Sequence, residues 1–131
     1  MYSEKEYDEF VEKLEKDFPA MFAQPYGGVA VCPGWWTIVR QLCVAIDYYL
    51  DCHKDVPQVT VAQIKEKFGG LRFYYDGGDD YIAGLVTMAE SWASRACEEC
   101  GKPGHQRDGG WIRTLCDEHE AERQERMKNA R

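Results

Sequence analysis

CEECGKPGHQRDGGWIRTLCDEH, at residues 97–119, decides the fold of the C-terminal part of this chain. It contains two close pairs of metal-binding side chains, Cys97 with Cys100 at CxxC spacing and Cys116 with His119 at CxxH spacing. Two such pairs separated by a short loop are typical of a tetrahedral zinc site. Three thiolates and one imidazole would fill all four positions around the ion and leave none for a reactive water. The spacing therefore predicts a structural zinc site.

The loop between the two ligand pairs predicts the local fold. Gly101 and Pro103 favour a tight turn after the first pair, and residues 111–115 form a strand-like run that leads to the second pair. A hairpin followed by a helix with two ligands in its first turn would be a treble-clef-like zinc finger, and a zinc ribbon is the alternative. His105, in the middle of the loop, is an alternative ligand to His119, although it fits the paired spacing less well.

Residues 1–96 predict an α+β core, in which three main helices pack on a small antiparallel β-hairpin or sheet. Apolar residues at helical spacing indicate the helices, and alternation around Gly69-Gly70 indicates the hairpin. Ser3 and Glu6 have capping-box spacing, and Asp79 or Asp80 can cap the third helix. The predicted helices are 3–22, 35–52 and 80–96, and the predicted strands are 59–66 and 71–76, with a candidate third strand at 29–31. Residues 97–131 would add a zinc-finger lobe with a charged C-terminal helix, and we expect one compact unit.

Composition and charge exclude several classes of function. The length of 131 residues fits one domain, and a hydrophobic fraction of 44% is typical of a globular chain. A net charge of −7 argues against a broad basic face for a polyanion. The start is acidic and polar where a secretory leader would be basic and then apolar, and no apolar run approaches the length of a membrane span. We therefore expect a cytoplasmic protein without membrane contact, in which six cysteines favour metal binding over disulfides.

The chain lacks the common signatures of zinc enzymes. It has neither the HExxH helix of metalloproteases nor an HxE motif upstream of the CxxC, as nucleic-acid deaminases have. An HNH-like nuclease can be built on a treble clef, but the spare residues His105 and Asn129 are badly placed for a second metal. We therefore predict that the protein is not an enzyme and keep an HNH-like nuclease as the second alternative.

Four motifs together carry a resemblance to a known group of proteins. They are KFGGLRFYYDG at 67–77, CEECGKPG at 97–104, GGW at 109–111 and TLCDEH at 114–119. As a set they resemble small uncharacterised zinc-binding proteins of bacteriophages and prophages. The resemblance implies zinc ligation by Cys97, Cys100, Cys116 and His119, a phage setting and hence the host cell cytoplasm, and it brings no established activity.

We expect the protein to act by binding another protein, from the phage or from its host. Small size, acidity and a surplus of aromatic residues favour an accessory factor, with inhibition of a bacterial defence system as the specific case. Aromatic and arginine side chains dominate interface energies. The candidate contacts are Trp35, Trp36, Arg72, Tyr74 and Trp111.

A nucleic-acid-binding zinc finger is the alternative function. Single strands bind where bases stack on aromatic rings beside cations. Tyr74 and Tyr75 would supply the stacking. The candidate cations are Lys65, Lys67, Arg72, Lys102, Arg107 and Arg113.

Overall fold

The computed structural model describes residues 2–130, which form four α-helices, one short 3-10 helix and two small β-sheets. The architecture is α+β, as predicted, and the charged C-terminal tail forms the fourth helix. The helices are α1 (Glu4–Asp17), α2 (Trp36–Cys52), α3 (Asp80–Ala93) and α4 (Asp117–Asn129). The strands are β1 (Val29–Ala30), β2 (Thr60–Lys67), β3 (Gly70–Asp76), β4 (His105–Arg107) and β5 (Arg113–Leu115).

The predicted hairpin is formed by β2 and β3, which pair antiparallel and turn through Phe68 and Gly69. Both turn residues have positive φ, 53° at Phe68 and 78° at Gly69, which matches the twist of a two-residue hairpin loop. Gly or Asn usually fills the first of these positions, because a bulky side chain is strained there. Phe68 is therefore an unusual residue at this tip.

The third strand lies at the predicted place, but the prediction of an antiparallel sheet is wrong for it. β1 pairs in parallel with β2, with Val29 opposite Ile64. The reason is that α2 lies between the two strands in sequence and carries the chain back to the starting edge, as a parallel connection requires. The larger sheet is therefore mixed, in the order β1-β2-β3.

The first helix begins where its cap was predicted and ends earlier. The Ser3 hydroxyl accepts a hydrogen bond from the Glu6 amide at 3.1 Å. α1 stops at Asp17, with Phe18 as its C-cap, because Pro19 disfavours helical backbone in the residue before it. Apolar residues beyond this point also pack in the core, so the apolar pattern of the sequence continues past the end of the helix.

The other core helices are close to their predictions. α2 starts at Trp36 after the 3-10 helix Pro33–Trp35. α3 is capped by Asp79, whose carboxylate accepts from the Ile82 amide at 3.1 Å, and it ends at Ala93. None of the four helices described is long and apolar enough to cross a membrane.

The core lies between the helices and one face of the three-stranded sheet. α2 packs along α3, and α3 packs on β3. The buried side chains include Leu14, Trp35, Ile46, Ile64 and Ile82. Since α3 leads almost directly into the first ligand pair, this core fixes one side of the candidate metal site.

Hydrogen bonds attach the C-terminal lobe, residues 97–130, to the core at two places. The Gly34 amide donates to the Glu98 carbonyl at 2.8 Å, beside a bond of 2.8 Å from the Trp35 indole to the carbonyl of Ala96, the residue just before the lobe. The Thr114 hydroxyl donates to the Gly69 carbonyl at 2.6 Å. The lobe is therefore tied both to the start of α2 and to the tip of the β2–β3 hairpin.

Candidate metal centre

The four predicted ligands come from two separate pieces of chain. Cys97 and Cys100 lie on a tight turn after α3, which is closed by a hydrogen bond of 2.8 Å from the Gly101 amide to the Cys97 carbonyl. The β4–β5 hairpin follows, and Cys116 is then the N-cap of α4, with His119 in the first turn of that helix. A turn, a hairpin and a helix start thus bring the two pairs together.

Three of the six distances between the donor atoms match a tetrahedral ion, and all four donor atoms lie within 4.8 Å of one another. Nδ1 of His119 lies 3.5 Å from the Cys97 sulfur and 3.3 Å from the Cys116 sulfur, and the Cys100 and Cys116 sulfurs are 3.8 Å apart. Zinc bonds of about 2.3 Å to sulfur and about 2.0 Å to nitrogen imply separations of roughly 3.8 Å between sulfurs and roughly 3.5 Å between sulfur and nitrogen. The four side chains could therefore hold one metal ion.

The orientation of the His119 ring also suits a ligand. Its Nδ1 faces the sulfurs, while its Nε2 lies 3.5 Å from a carboxylate oxygen of Glu122. Metal-binding histidines commonly direct the second ring nitrogen to a carboxylate, which fixes the ring. The alternative ligand His105 lies on β4 and is not part of the cluster.

Electrostatics around the thiols favour a bound cation. Burial opposes ionisation of Cys97, but backbone N–H groups of Cys116, Cys100 and Glu99 face its sulfur and hold its pKa below the usual value. Burial and the neighbouring sulfurs raise the pKa of the Cys100 thiol to about 11. Metals bind cysteine as thiolate, so an ion here would displace the remaining protons and neutralise the crowded charge.

A buried carboxylate, that of Glu98, connects the two halves of the site, and no sequence pattern pointed to it. Glu98 is 2% exposed, and its side chain accepts a hydrogen bond of 2.8 Å from the Thr114 amide. Arg113 lies 3.6 Å from the same carboxylate. Burial raises the pKa of Glu98, against these interactions. Glu98 thus joins the first ligand turn to the strand that leads to the second.

The candidate partner-binding residues occupy different environments. Trp35 is completely buried, so its side chain has no surface to offer, and the structure removes it from the set. Trp36 is half-buried, stacks on Phe10 with ring centroids 4.6 Å apart and donates to the Val31 carbonyl. The remaining three, Arg72, Tyr74 and Trp111, are partly or largely exposed, and Trp111 most of all at 74%.

Trp111 is held in its exposed position by a buried arginine, which the sequence analysis missed. Arg123 of α4 is 6% exposed, and its guanidinium donates to the carbonyls of Gly109 and Trp111. Its charge is balanced by Glu120, 3.6 Å away. In sequence Arg123 is one of several charged residues in a polar tail, so no pattern distinguished it.

Comparisons of this chain with protein-family models, with curated proteins and with solved structures each gave no match.

Proposed function

We propose that Cys97, Cys100, Cys116 and His119 bind a structural zinc ion in a treble-clef-like finger. The order of tight turn, hairpin and helix supports the finger, and the donor distances support the ion. Three sulfurs and one nitrogen suit zinc, and a filled coordination sphere leaves no site for activating water. When bound, zinc contributes folding free energy to the lobe and has no chemical role.

We further propose that the zinc lobe presents a protein-binding surface. This hairpin-tip surface comprises Lys67, Phe68, Trp111 and Ile112, which border a cleft of about 340 Å³. Phe68 is 67% exposed and Trp111 is 74% exposed. Large aromatic rings are favourable contacts in protein interfaces, and rigid presentation lowers the entropy lost on binding.

The observation that carries this proposal is that a buried arginine holds the backbone at an exposed tryptophan. Arg123 binds the carbonyls on either side of the loop tip, so the backbone at Trp111 is fixed although its ring is open to solvent. Phe68 likewise keeps a left-handed backbone that glycine would hold at lower cost. Burying the Arg123 guanidinium and holding Phe68 in a left-handed backbone both cost free energy. Such local costs, spent here on exposing two aromatic rings that border one cleft, are typical of a binding site.

The biological setting is proposed from the sequence resemblance alone. We propose an accessory protein of phage type, acting in the host cytoplasm without catalysis, and favour inhibition of a bacterial defence system. An acidic chain of this size suits a stoichiometric inhibitor of a basic host protein, because complementary charge speeds association. A defence nuclease, whose groove is basic, fits that description.

The test is affinity capture from bacterial lysates with the intact, zinc-loaded chain. We expect a partner that is retained by the wild type, retained by Lys54→Ala and lost with Trp111→Ala. Lys54 is the control, because its side chain is 77% exposed just after α2 and belongs to no binding surface proposed for this chain. Equal capture by the wild type and Trp111→Ala, or capture of nothing by either, would refute the assignment.

One observation favours nucleic-acid binding as a second candidate function. A second cleft that Phe68 borders, of about 380 Å³, is lined by Arg72, Arg95 and His105, and none of the described residues that line it is acidic. Two arginines and a histidine beside an exposed ring suit a short single strand. Gel shifts with labelled oligodeoxythymidine at low salt test this: retardation that Arg72→Gln weakens supports it, and unshifted oligonucleotide removes it.

A further inference from the structure

Several large apolar side chains on the outer side of α2 and α3 are open to solvent. They are Tyr48 at 71%, Met88 at 68%, Tyr81 at 57%, Trp92 at 48% and Val44 at 40%. On α3, Tyr81, Met88 and Trp92 recur at helical spacing and form one stripe along the helix, with Gly84 between the first two. We call the residues Val44, Tyr48, Tyr81, Met88 and Trp92 the helical face. It is distinct from the hairpin-tip surface.

This stripe is nearly free of charge. Between Tyr81 and Trp92 the sequence has a single ionisable acid or base apart from tyrosine, Glu90. The Glu90 carboxylate turns toward the sheet, where it accepts a hydrogen bond of 3.1 Å from the Phe73 amide. In a chain of net charge −7, an uncharged stripe is where a second acidic molecule can approach without repulsion.

Gly84 lies in the middle of the stripe, and no neighbouring atom of the described chain requires a glycine there. It is exposed, and a methyl group added to it would meet no atom within 4 Å. Glycine inside a helix is less stable than alanine by about 1 kcal/mol. Glycine at position 84 therefore lowers the stability of α3, and no side chain among residues 2–130 fills the space over it.

We propose that the helical face joins two copies of this chain in a two-fold dimer, with the α3 helices antiparallel. A two-fold axis near position 86 places Met88 of each copy over Gly84 of the other. The flexible Met88 side chain then fills the open space over Gly84. The same axis places Tyr81 beside the other copy's Trp92. The stripe is self-complementary, as an isologous interface must be.

Charge supports a second copy over an unrelated partner. Asp80 begins α3 next to Tyr81, and Lys102 lines a cleft with Trp92 near the other end of the helix. Antiparallel pairing brings Asp80 of each copy toward Lys102 of the other, and it opposes the two helix dipoles. The proposal does not depend on the function of the hairpin-tip surface, which the dimer leaves open.

The first test is the mass of the zinc-loaded chain in solution, by sedimentation equilibrium from micromolar to millimolar concentration. We expect twice the chain mass of 15.1 kDa. Met88→Glu should raise the dissociation constant at least about a hundredfold, because two carboxylates would then be buried without partners near the axis. Phe68→Glu is the control and should remain a dimer. A monomeric wild type throughout, or a Met88→Glu variant that associates normally, would overturn the proposal.

The second test uses Gly84→Ala, for which the two explanations predict opposite signs. If nothing covered Gly84, alanine would raise the melting temperature and leave the chain a monomer, because it is the better helix former. In the proposed dimer the new methyl group occupies the space of Met88, so the dissociation constant should rise about tenfold or more. An unchanged or tighter dimer in Gly84→Ala would contradict the packing of Met88 on Gly84.

Discussion

The α+β core and the C-terminal lobe differ in how much apolar surface they bury. In the core, a continuous cluster of buried apolar side chains extends from Leu14 to Ala96. In the described part of the lobe, the buried apolar cluster consists of Cys97, Leu115 and Cys116, and two of these are candidate ligands. A segment this short cannot bury enough apolar surface to offset the entropy of ordering it. We infer that the core is held by burial, whereas the lobe would depend on the metal ion that we propose for it.

Loss of one ligand should have the largest effect on this contrast. Structural zinc contributes about 10–16 kcal/mol in zinc-finger peptides, comparable with the total stability of a domain. We expect Cys116→Ser to lose stoichiometric zinc and hydrogen-exchange protection throughout residues 97–130, while β2, β3 and the core helices keep theirs. Cys52→Ser is the control, because Cys52 is exposed and outside the cluster. Full protection of the lobe in Cys116→Ser would mean that the metal is not what orders it.

A cavity in the core should reverse the pattern. Ile64 is completely buried. We expect Ile64→Ala to lower the free energy of unfolding by about 2–5 kcal/mol, through lost burial and an unfilled cavity. Chemical denaturation followed by circular dichroism measures the loss, and metal analysis should still find one zinc per chain. A loss of zinc in this variant would show that the two regions are less independent than we conclude.

Removing the buried arginine should disturb the lobe on a smaller scale. Arg123→Met keeps the apolar stem but leaves the carbonyls of Gly109 and Trp111 without their donor. Unsatisfied groups of this kind cost about 1–3 kcal/mol. We expect faster hydrogen exchange at residues 109–112 and weaker partner capture, with zinc retained. Arg126→Met is the control, since the Arg126 side chain is 62% exposed; equal effects of the two changes would contradict the anchoring role.

The smallest expected effect is a pH-dependent one in the core. A hydrogen bond from the Tyr49 hydroxyl, together with the Ile82 amide, holds the pKa of Asp79 below its usual value. A carboxyl group whose pKa is lower in the folded state stabilises the fold at pH values above its unfolded-state pKa of about 3.9. This contribution disappears as the pH falls through the folded-state pKa. Asp79→Asn keeps a good helix cap but lacks the charge. Its melting temperature should lie below that of the wild type at neutral pH, and this difference should disappear in acid. A difference that grows in acid would contradict the lowered pKa of Asp79.

How much the sequence could predict depends on how local each cause is. The ligand pairs, the caps at Ser3 and Asp79 and the hairpin all follow from residues a few positions apart. The parallel pairing of β1 could not be read, because a strand of two residues has no pattern of its own. Burial of Trp35 and exposure of Trp111 depend on which face meets the core, and residue type does not reveal this. The role of Arg123 depends on carbonyls 12 and 14 residues away, and the role that we propose for Gly84 depends on a second copy of the chain.

The measurement that bears most directly on the lobe is X-ray absorption at the zinc edge, with metal analysis of protein purified without added zinc. A closed site predicts one zinc per chain, with three sulfur neighbours at about 2.3 Å and one nitrogen at about 2.0 Å. Protein without stoichiometric metal, or an ion with a water oxygen in its first shell, would contradict the account of a lobe held by a structural ion.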